Sequence, residues 1–286
     1  AIVGIAVGHL GMNLFDDYFD YKVKESGFRD TLNRKGFRAR ISKCDYLTSG
    51  QATVRELLFA GILFGATALL IGVIIWLFRG NFILWISLST AVIGLSYSAP
   101  PLRLSYHGLG EWVIGLIFGP LLMTGVYYAT CGHWDCSMLF VSIPVGVLVT
   151  NIVYSHSIMD YEPDKEVGKM TFAILLKTQR NMLIFHRLLV NSAYVIIAAG
   201  VFSGYLSYGY LIVFLTFPLA VYHQYLMVQF VKNPDRSFNP KWWMGPMGDR
   251  ERIKTAGIEW FMIRWLLARN LLSFFCLVIL IVSFIP

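Results

Sequence analysis

Seven stretches of this chain, at roughly 57–78, 81–99, 112–131, 138–159, 183–205, 206–231 and 262–286, stay apolar over about 20 residues each, the length a helix needs to cross the hydrocarbon of a bilayer. With no water there to serve backbone N–H and C=O groups, each stretch is predicted to be a helix and the whole an all-α polytopic membrane bundle. An eighth apolar run, Ala1 to Phe15, is shorter and opens without Met. It reads as the end of a helix whose start is absent, an N-terminal truncation. Charged residues make up only 14% of the chain and mean hydropathy is +0.60, against roughly 25% charged in an average soluble domain. That excludes disorder and disfavours a water-soluble core.

The net charge of +7 raises the question of a nucleic-acid partner, which the positions of the 24 Lys and Arg answer. Nine lie between Lys22 and Arg55, one at Arg79, one at Arg103, none in 130–137, four in 160–182, none in 203–209 and six in 232–257. Arg187, Arg264 and Arg269 sit near helix ends, where long side chains snorkel. Basic and neutral loops alternate, so the surplus encodes topology and no nucleic acid is expected. By the positive-inside rule, 16–56, 100–111, 160–182 and 232–257 face the cytoplasm and the C-terminus lies outside. One helix before the eight present would make nine with a cytoplasmic start. Residues 1–15 lack the basic leader of a cleavable signal peptide.

The acidic residues are more informative. Seven of the 17 Asp and Glu fall in two short clusters that each close an apolar run: Asp16, Asp17 and Asp20, then Asp160, Glu162, Asp164 and Glu166. If the first helix continues through its cluster, Asn13, Asp16, Asp17 and Asp20 share one face; His156, Asp160 and Asp164 are likewise spaced by four, with Pro163 expected to break that helix or start another. Carboxylates packed this closely repel unless a cation neutralises them. Hard oxygen donors suit Mg²⁺, bound through one or two carboxylates per ion while it bridges substrate phosphates. Solvated helix caps are the plain alternative for one cluster. Two clusters 144 residues apart argue for a repeated half, with pseudo-repeats at about 1–135 and 136–286 of a single domain. Cys131, His133, Asp135 and Cys136 fit no strong zinc spacing and are read as structural or free thiols, with a zinc site or disulfide as alternatives.

The run Asn13-Leu-Phe-Asp-Asp-Tyr-Phe-Asp-Tyr21 resembles the first aspartate-rich motif of the UbiA superfamily of intramembrane prenyltransferases. Asp160-Tyr-Glu-Pro-Asp164-Lys-Glu-Val-Gly-Lys169-Met-Thr171 resembles the second. Between them, Tyr97-Ser-Ala-Pro-Pro101 through Tyr106 to Glu111 is similar to a segment of the 1,4-dihydroxy-2-naphthoate polyprenyltransferases of menaquinone synthesis. Asp17 and Asp20 match the first motif, whereas Asp16 stands where the family usually has Asn. The resemblance implies nine helices, two four-helix halves plus one. Gly61-x-x-x-Gly65 and Gly115-x-x-x-Gly119 fit close helix packing in such a bundle.

The implied chemistry is transfer of a polyprenyl group from an allylic diphosphate to an aromatic ring. Ionisation of the diphosphate requires stabilisation of its growing negative charge by metal ions and cationic donors. Asp17, Asp20, Asp160 and Asp164 are the expected catalytic residues and, with Asp16, the Mg²⁺ ligands. Lys22, Lys24, Arg29, Arg103, Lys165 and Lys169 lie near enough in sequence to reach diphosphate oxygens. Asn13, Tyr97, Asn151, Tyr154 and His156 are candidates to bind substrate, with interhelical hydrogen bonding or interfacial placement as the alternative roles. Dihydroxynaphthoate is the expected acceptor, 4-hydroxybenzoate or homogentisate the alternatives. The site would face the cytoplasm from a bacterial inner membrane, leaving the polyprenyl tail in lipid. From a different class, acids at helix ends of a repeated bundle also describe a cation-coupled transporter, whose acids should lie near mid-membrane. Lys241 to Asp249, with Trp242 and Trp243, reads as an interfacial aromatic belt or a lid over the acceptor site.

Overall fold

A computed structural model describes residues 1–23, 45–166, 168–234, 236 and 238–284. Among these the chain forms eight long helices and no strand. They are α1 (Ile2–Val23), α2 (Val54–Arg79), α3 (Asn81–Ser98), α4 (Gly110–Cys131), α5 (Ser137–Met159), α6 (Gln179–Phe202), α7 (Tyr208–Lys232) and α8 (Glu259–Ser283). The last seven are long and apolar enough to cross a membrane, and the protein is an integral membrane protein. Helix α1 continues past the apolar run through Asp16, Asp17 and Asp20, so these positions fall in its last two turns.

Local signals set the helix ends. Thr53 caps α2, its hydroxyl accepting from Glu56 N–H while the Glu56 carboxylate accepts from Thr53 N–H at 2.8 Å. Thr178 caps α6. The stretch 206–231, expected as one helix, begins instead with a 3₁₀ run over Tyr208–Thr216 and becomes α-helical at Phe217. Pro218 has no N–H to continue an α ladder backwards, and it sits in the first turn of the α-helical part, where that donor is not needed. Thr216 is fixed there by the Tyr194 hydroxyl at 2.8 Å. Helix α4 accommodates Pro120 in the same way, through a π turn over Ile117–Leu121.

The main apolar core lies among α5 to α8, where Leu148, Tyr194, Ile197, Leu267, Leu271 and Phe275 are almost wholly buried. Helices α1, α2 and α3 pack on one another and leave broad apolar faces for lipid. Helix α4 meets α5 backbone to backbone at Gly115, Gly119 and Gly146. At the opposite end from the acids, Asp135 accepts from the Ser137 backbone N–H at 2.8 Å, which holds its carboxyl below the usual carboxylate range. Cys131 and Cys136 are free thiols, and His133 contacts the Tyr127 hydroxyl at 3.1 Å. That favours the structural reading of this loop.

The segment 232–257 is more than the simple loop expected from its charge. After α7 the chain doubles back between α7 and α8. Phe238 lies against Tyr225 and Trp243 against Tyr222, the latter ten residues, about 15 Å, before the end of α7. Asn270 donates to Met244 O at 2.8 Å and Pro246 O at 3.0 Å, and Arg269 donates to Pro246 O at 2.9 Å. Non-helical backbone at this depth is tolerated because it is buried against protein and its carbonyls are served. Trp242 stays 92% exposed. Of the two tryptophans, Trp243 thus packs against α7 while Trp242 is left at the surface. Arg264 turns inward, donating to Leu226 O and Trp260 O under the faces of Phe230 and Phe238.

Candidate active site

The second acidic cluster is made by a change of direction. Helix α5 ends at Asp160, whose N–H still bonds to His156 O, and a new short helix, Tyr161–Glu166, begins at once. Pro163 falls in its first turn, where a missing N–H is harmless. The break buries both aspartates, leaving Asp160 2% and Asp164 3% exposed. Nε2 of His156 lies 2.9 Å from Oδ2 of Asp160, and its ring rests edge-on against Phe261. Lys165 remains exposed and Lys169 is half-buried, its N–H bonded to Asp164 O.

On α1, Asp16 and Asp17 are half-buried and each accepts a hydroxyl from a distant residue: Ser98 donates to Asp16, and Tyr46 to Asp17 at 2.8 Å. Asn13 lies one turn earlier, exposed, with its carboxamide 3.2 Å from His9. The backbone of Asp20 continues the helix, but its side chain and those of Lys22, Lys24 and Arg29 lie outside the described residues.

The segment from Ser98 to Glu111 touches both clusters. It leaves α3 at Ser98, the partner of Asp16, and reaches the second motif where Gly108 N–H donates to Met170 O at 2.7 Å. Gly108 has φ +76, and a Cβ there would lie 2.1 Å from Leu175 Cδ1, so only glycine fits this approach. Tyr97 supplies its carbonyl to the Ser105 hydroxyl at 2.8 Å. Arg103 holds a left-handed backbone (φ 40, ψ 54), and its buried Nε has no hydrogen-bond partner. Unusual backbone geometry beside a buried donor without a protein partner makes Arg103 a candidate for a ligand contact.

Deeper in the bundle, Asn151 is fully buried with Nδ2 unpartnered. Tyr154 is fully buried too, but its hydroxyl donates to Met182 O at 3.0 Å and its ring packs against Phe185, so the fold spends it on the core. Four contributors had not been expected from sequence: Tyr46, Ser98, Glu111 and Ser157. Tyr46, Ser98 and Ser157 are inconspicuous polar residues in sequence. Glu111 does carry a signal, as the only acid between Glu56 and Asp135.

Among the described residues, no three His, Cys, Asp or Glu side chains form a group able to hold a metal ion alone. Mg²⁺ does not need one, because one or two carboxylates complete its shell together with substrate phosphates and water. The donor set, all oxygen and paired along the chain, fits that ion.

The chain is 27% identical over 220 residues to a 1,4-dihydroxy-2-naphthoate octaprenyltransferase of Bacillus subtilis, covering 74% of this chain and 65% of that protein. It is 30% identical over 149 residues to a 2-carboxy-1,4-naphthoquinone phytyltransferase of Synechocystis, covering 52% and 48%. The chain thus spans 65% and 48% of the length of these two relatives. A solved structure described as digeranylgeranylglyceryl phosphate synthase in membranes superposes with a TM-score of 0.52 at 17% identity, over 96% of this chain and 86% of that one, and shares its fold. The UbiA prenyltransferase family model matches residues 1–245, and with the two acidic helix ends and the segment between them this places the chain in the UbiA prenyltransferase family.

Proposed function

We propose that the protein transfers a polyprenyl group from an allylic diphosphate to an aromatic quinone precursor, with 1,4-dihydroxy-2-naphthoate as acceptor and Mg²⁺ as cofactor. The observation that carries this reading is the pair of acidic helix ends joined through one segment that also presents an unserved arginine donor. Asp16, Asp17 and Asp20 on one side and Asp160 and Asp164 on the other would hold the ion. When bound, Mg²⁺ supplies charge stabilisation to the departing diphosphate. Arg103 on the central segment and Lys165 and Lys169 in the second motif would add donors to the same leaving group. The bond between the allylic carbon and the diphosphate oxygen breaks, the diphosphate leaving with the electron pair; a ring carbon bonds to that allylic carbon, and the ring regains aromaticity by losing CO₂ where the attacked carbon bears the carboxylate, or a proton to a base where it bears hydrogen.

His156, oriented by Asp160, is placed to take a proton from the acceptor hydroxyl, which makes the ring a better nucleophile. Asn151 offers a buried donor along the same helix for the acceptor. The apolar bundle keeps water from the allylic cation, and the polyprenyl tail stays in lipid. Two pseudo-repeated halves, about 1–135 and 136–286, would each contribute one acidic motif. The basic loops orient this end toward the cytoplasm of a bacterial inner membrane. Acids at helix ends, rather than at mid-span, speak against a cation-coupled transporter.

The test is purified protein in lipid nanodiscs, offered a polyprenyl diphosphate and a panel of aromatic acids, with product masses measured with and without chelator. Prenylated naphthoate that disappears with chelator and returns with Mg²⁺ is expected. Product from 4-hydroxybenzoate alone would overturn the acceptor, and full turnover by Asp17→Ala or Asp164→Ala the metal assignment.

A further inference from the structure

The central segment carries a buried acid that the chemistry above does not use. Glu111, in the first turn of α4, is only 3% exposed, and a carboxylate that deep must be served by donors. Its Oε1 accepts from the Ser157 hydroxyl at 2.7 Å and from the Phe172 backbone N–H at 3.1 Å. Both donors frame the second acidic motif. Ser157 stands on α5 three residues before Asp160, and Phe172 opens the short helix that ends the loop running on from Asp164. One oxygen atom therefore fixes the chain on either side of Asp160 and Asp164. The same loop is held nearby by Gly108 N–H on Met170 O at 2.7 Å and by Lys169 N–H on Asp164 O at 2.9 Å.

A charged acceptor shared by two donors is stronger than a neutral one, and here the donors belong to stretches that the helix break at Asp160 would otherwise leave loosely related. We propose that Glu111 is a positioning residue that sets the second acidic motif against the central segment, so that Asp160 and Asp164 meet the metal diphosphate already in place. Its kinetic consequence rests on the prenyl-transfer reading. The tie itself is readable without activity.

The test compares wild type with E111A, E111Q and S157A in nanodiscs by two measurements: hydrogen exchange over 168–176, and steady-state kinetics with Mg²⁺ and prenyl diphosphate varied in turn. In E111A, exchange over 168–176 should rise while α6 is unchanged, and half-saturating Mg²⁺ should rise about tenfold or more, with a smaller change in kcat. E111Q keeps an acceptor oxygen at the same reach and should restore most of both. S157A leaves the Phe172 bond intact and should fall between. Unchanged exchange in E111A, a loss of kcat with unchanged Mg²⁺ and diphosphate dependence, or E111Q as impaired as E111A would each overturn the inference. Loosened exchange in E111A beside an inactive wild type would refute prenyl transfer while supporting the tie. If E111A does not fold, E111D, one methylene too short to keep both donors, takes its place in every comparison.

Discussion

The crossing of α4 and α5 makes a sharp prediction for Gly119→Ala. A Cβ on Gly119 would lie 2.5 Å from Gly146 Cα, 2.6 Å from Ser142 O and 2.7 Å from Gly146 N. Carbon contacts begin to be comfortable near ~3.5 Å, so the two helices must part by roughly 1 Å, a gap that forfeits up to about half of the dispersion between the atoms lining it. All three neighbours are backbone, so no rotamer change relieves the clash. Overpacking of this kind costs about 1–3 kcal/mol, and the absence of any flexible partner places Gly119→Ala at the upper end. The assay is thermal unfolding in one detergent, followed by tryptophan fluorescence, with Gly72→Ala as control because nothing lies within 4 Å of a Cβ there. Gly65→Ala serves as a second control, its new Cβ meeting only the Phe15 ring at 3.6 Å. Since α5 carries His156 and Asp160, Gly119→Ala should also lower turnover in the fraction that stays folded. Stability of Gly119→Ala equal to that of the two controls would refute the backbone contact.

Three further variants separate chemical from structural roles. His156→Ala removes both the base for the acceptor hydroxyl and the partner of Asp160, so it should lower kcat about 100-fold or more and raise the Mg²⁺ concentration for half-maximal turnover by about 10-fold or more, read by titration against diphosphate release. Tyr154→Phe loses its bond to Met182 O and should cost about 0.5–1.5 kcal/mol while turnover per folded molecule stays at the wild-type level; a large loss of turnover without loss of stability would return Tyr154 to the acceptor site. Asn270→Ala removes two bonds to the 241–247 backbone, about 1–3 kcal/mol together, and should expose that segment to protease well before the helices unfold.

Much of the architecture was legible because hydropathy is a local sum. Seven apolar runs name seven helices whatever they touch, and the alternation of basic loops needs no contacts either. The acidic helix ends were legible for the same reason, since Asp16, Asp17 and Asp20 and then Asp160 and Asp164 cluster along the chain. Where the sequence signal was a spacing alone, it did not discriminate. Gly61-x-x-x-Gly65 and Gly115-x-x-x-Gly119 look alike, yet the first lies under the Phe15 ring at ordinary distances and the second forms a backbone crossing. The difference depends on how each helix is rotated about its axis, which is decided by the partner it meets.

The same holds for Tyr154, Trp243 and Glu111. Tyr154 could have faced an acceptor or a neighbouring carbonyl, and only the approach of α6 chose Met182. The path of 238–248 along α7 and α8 depends on Asn270, more than 20 residues later. Glu111 gains its role from Ser157 and Phe172, 46 and 61 residues away. Sequence by itself determined the solvent, the helices and where acidic residues gather at helix ends, because these follow from residue types along short stretches. Tertiary structure alone decided which polar groups are spent on the fold and which remain for a ligand, because a buried donor or acceptor is defined by the partner that reaches it.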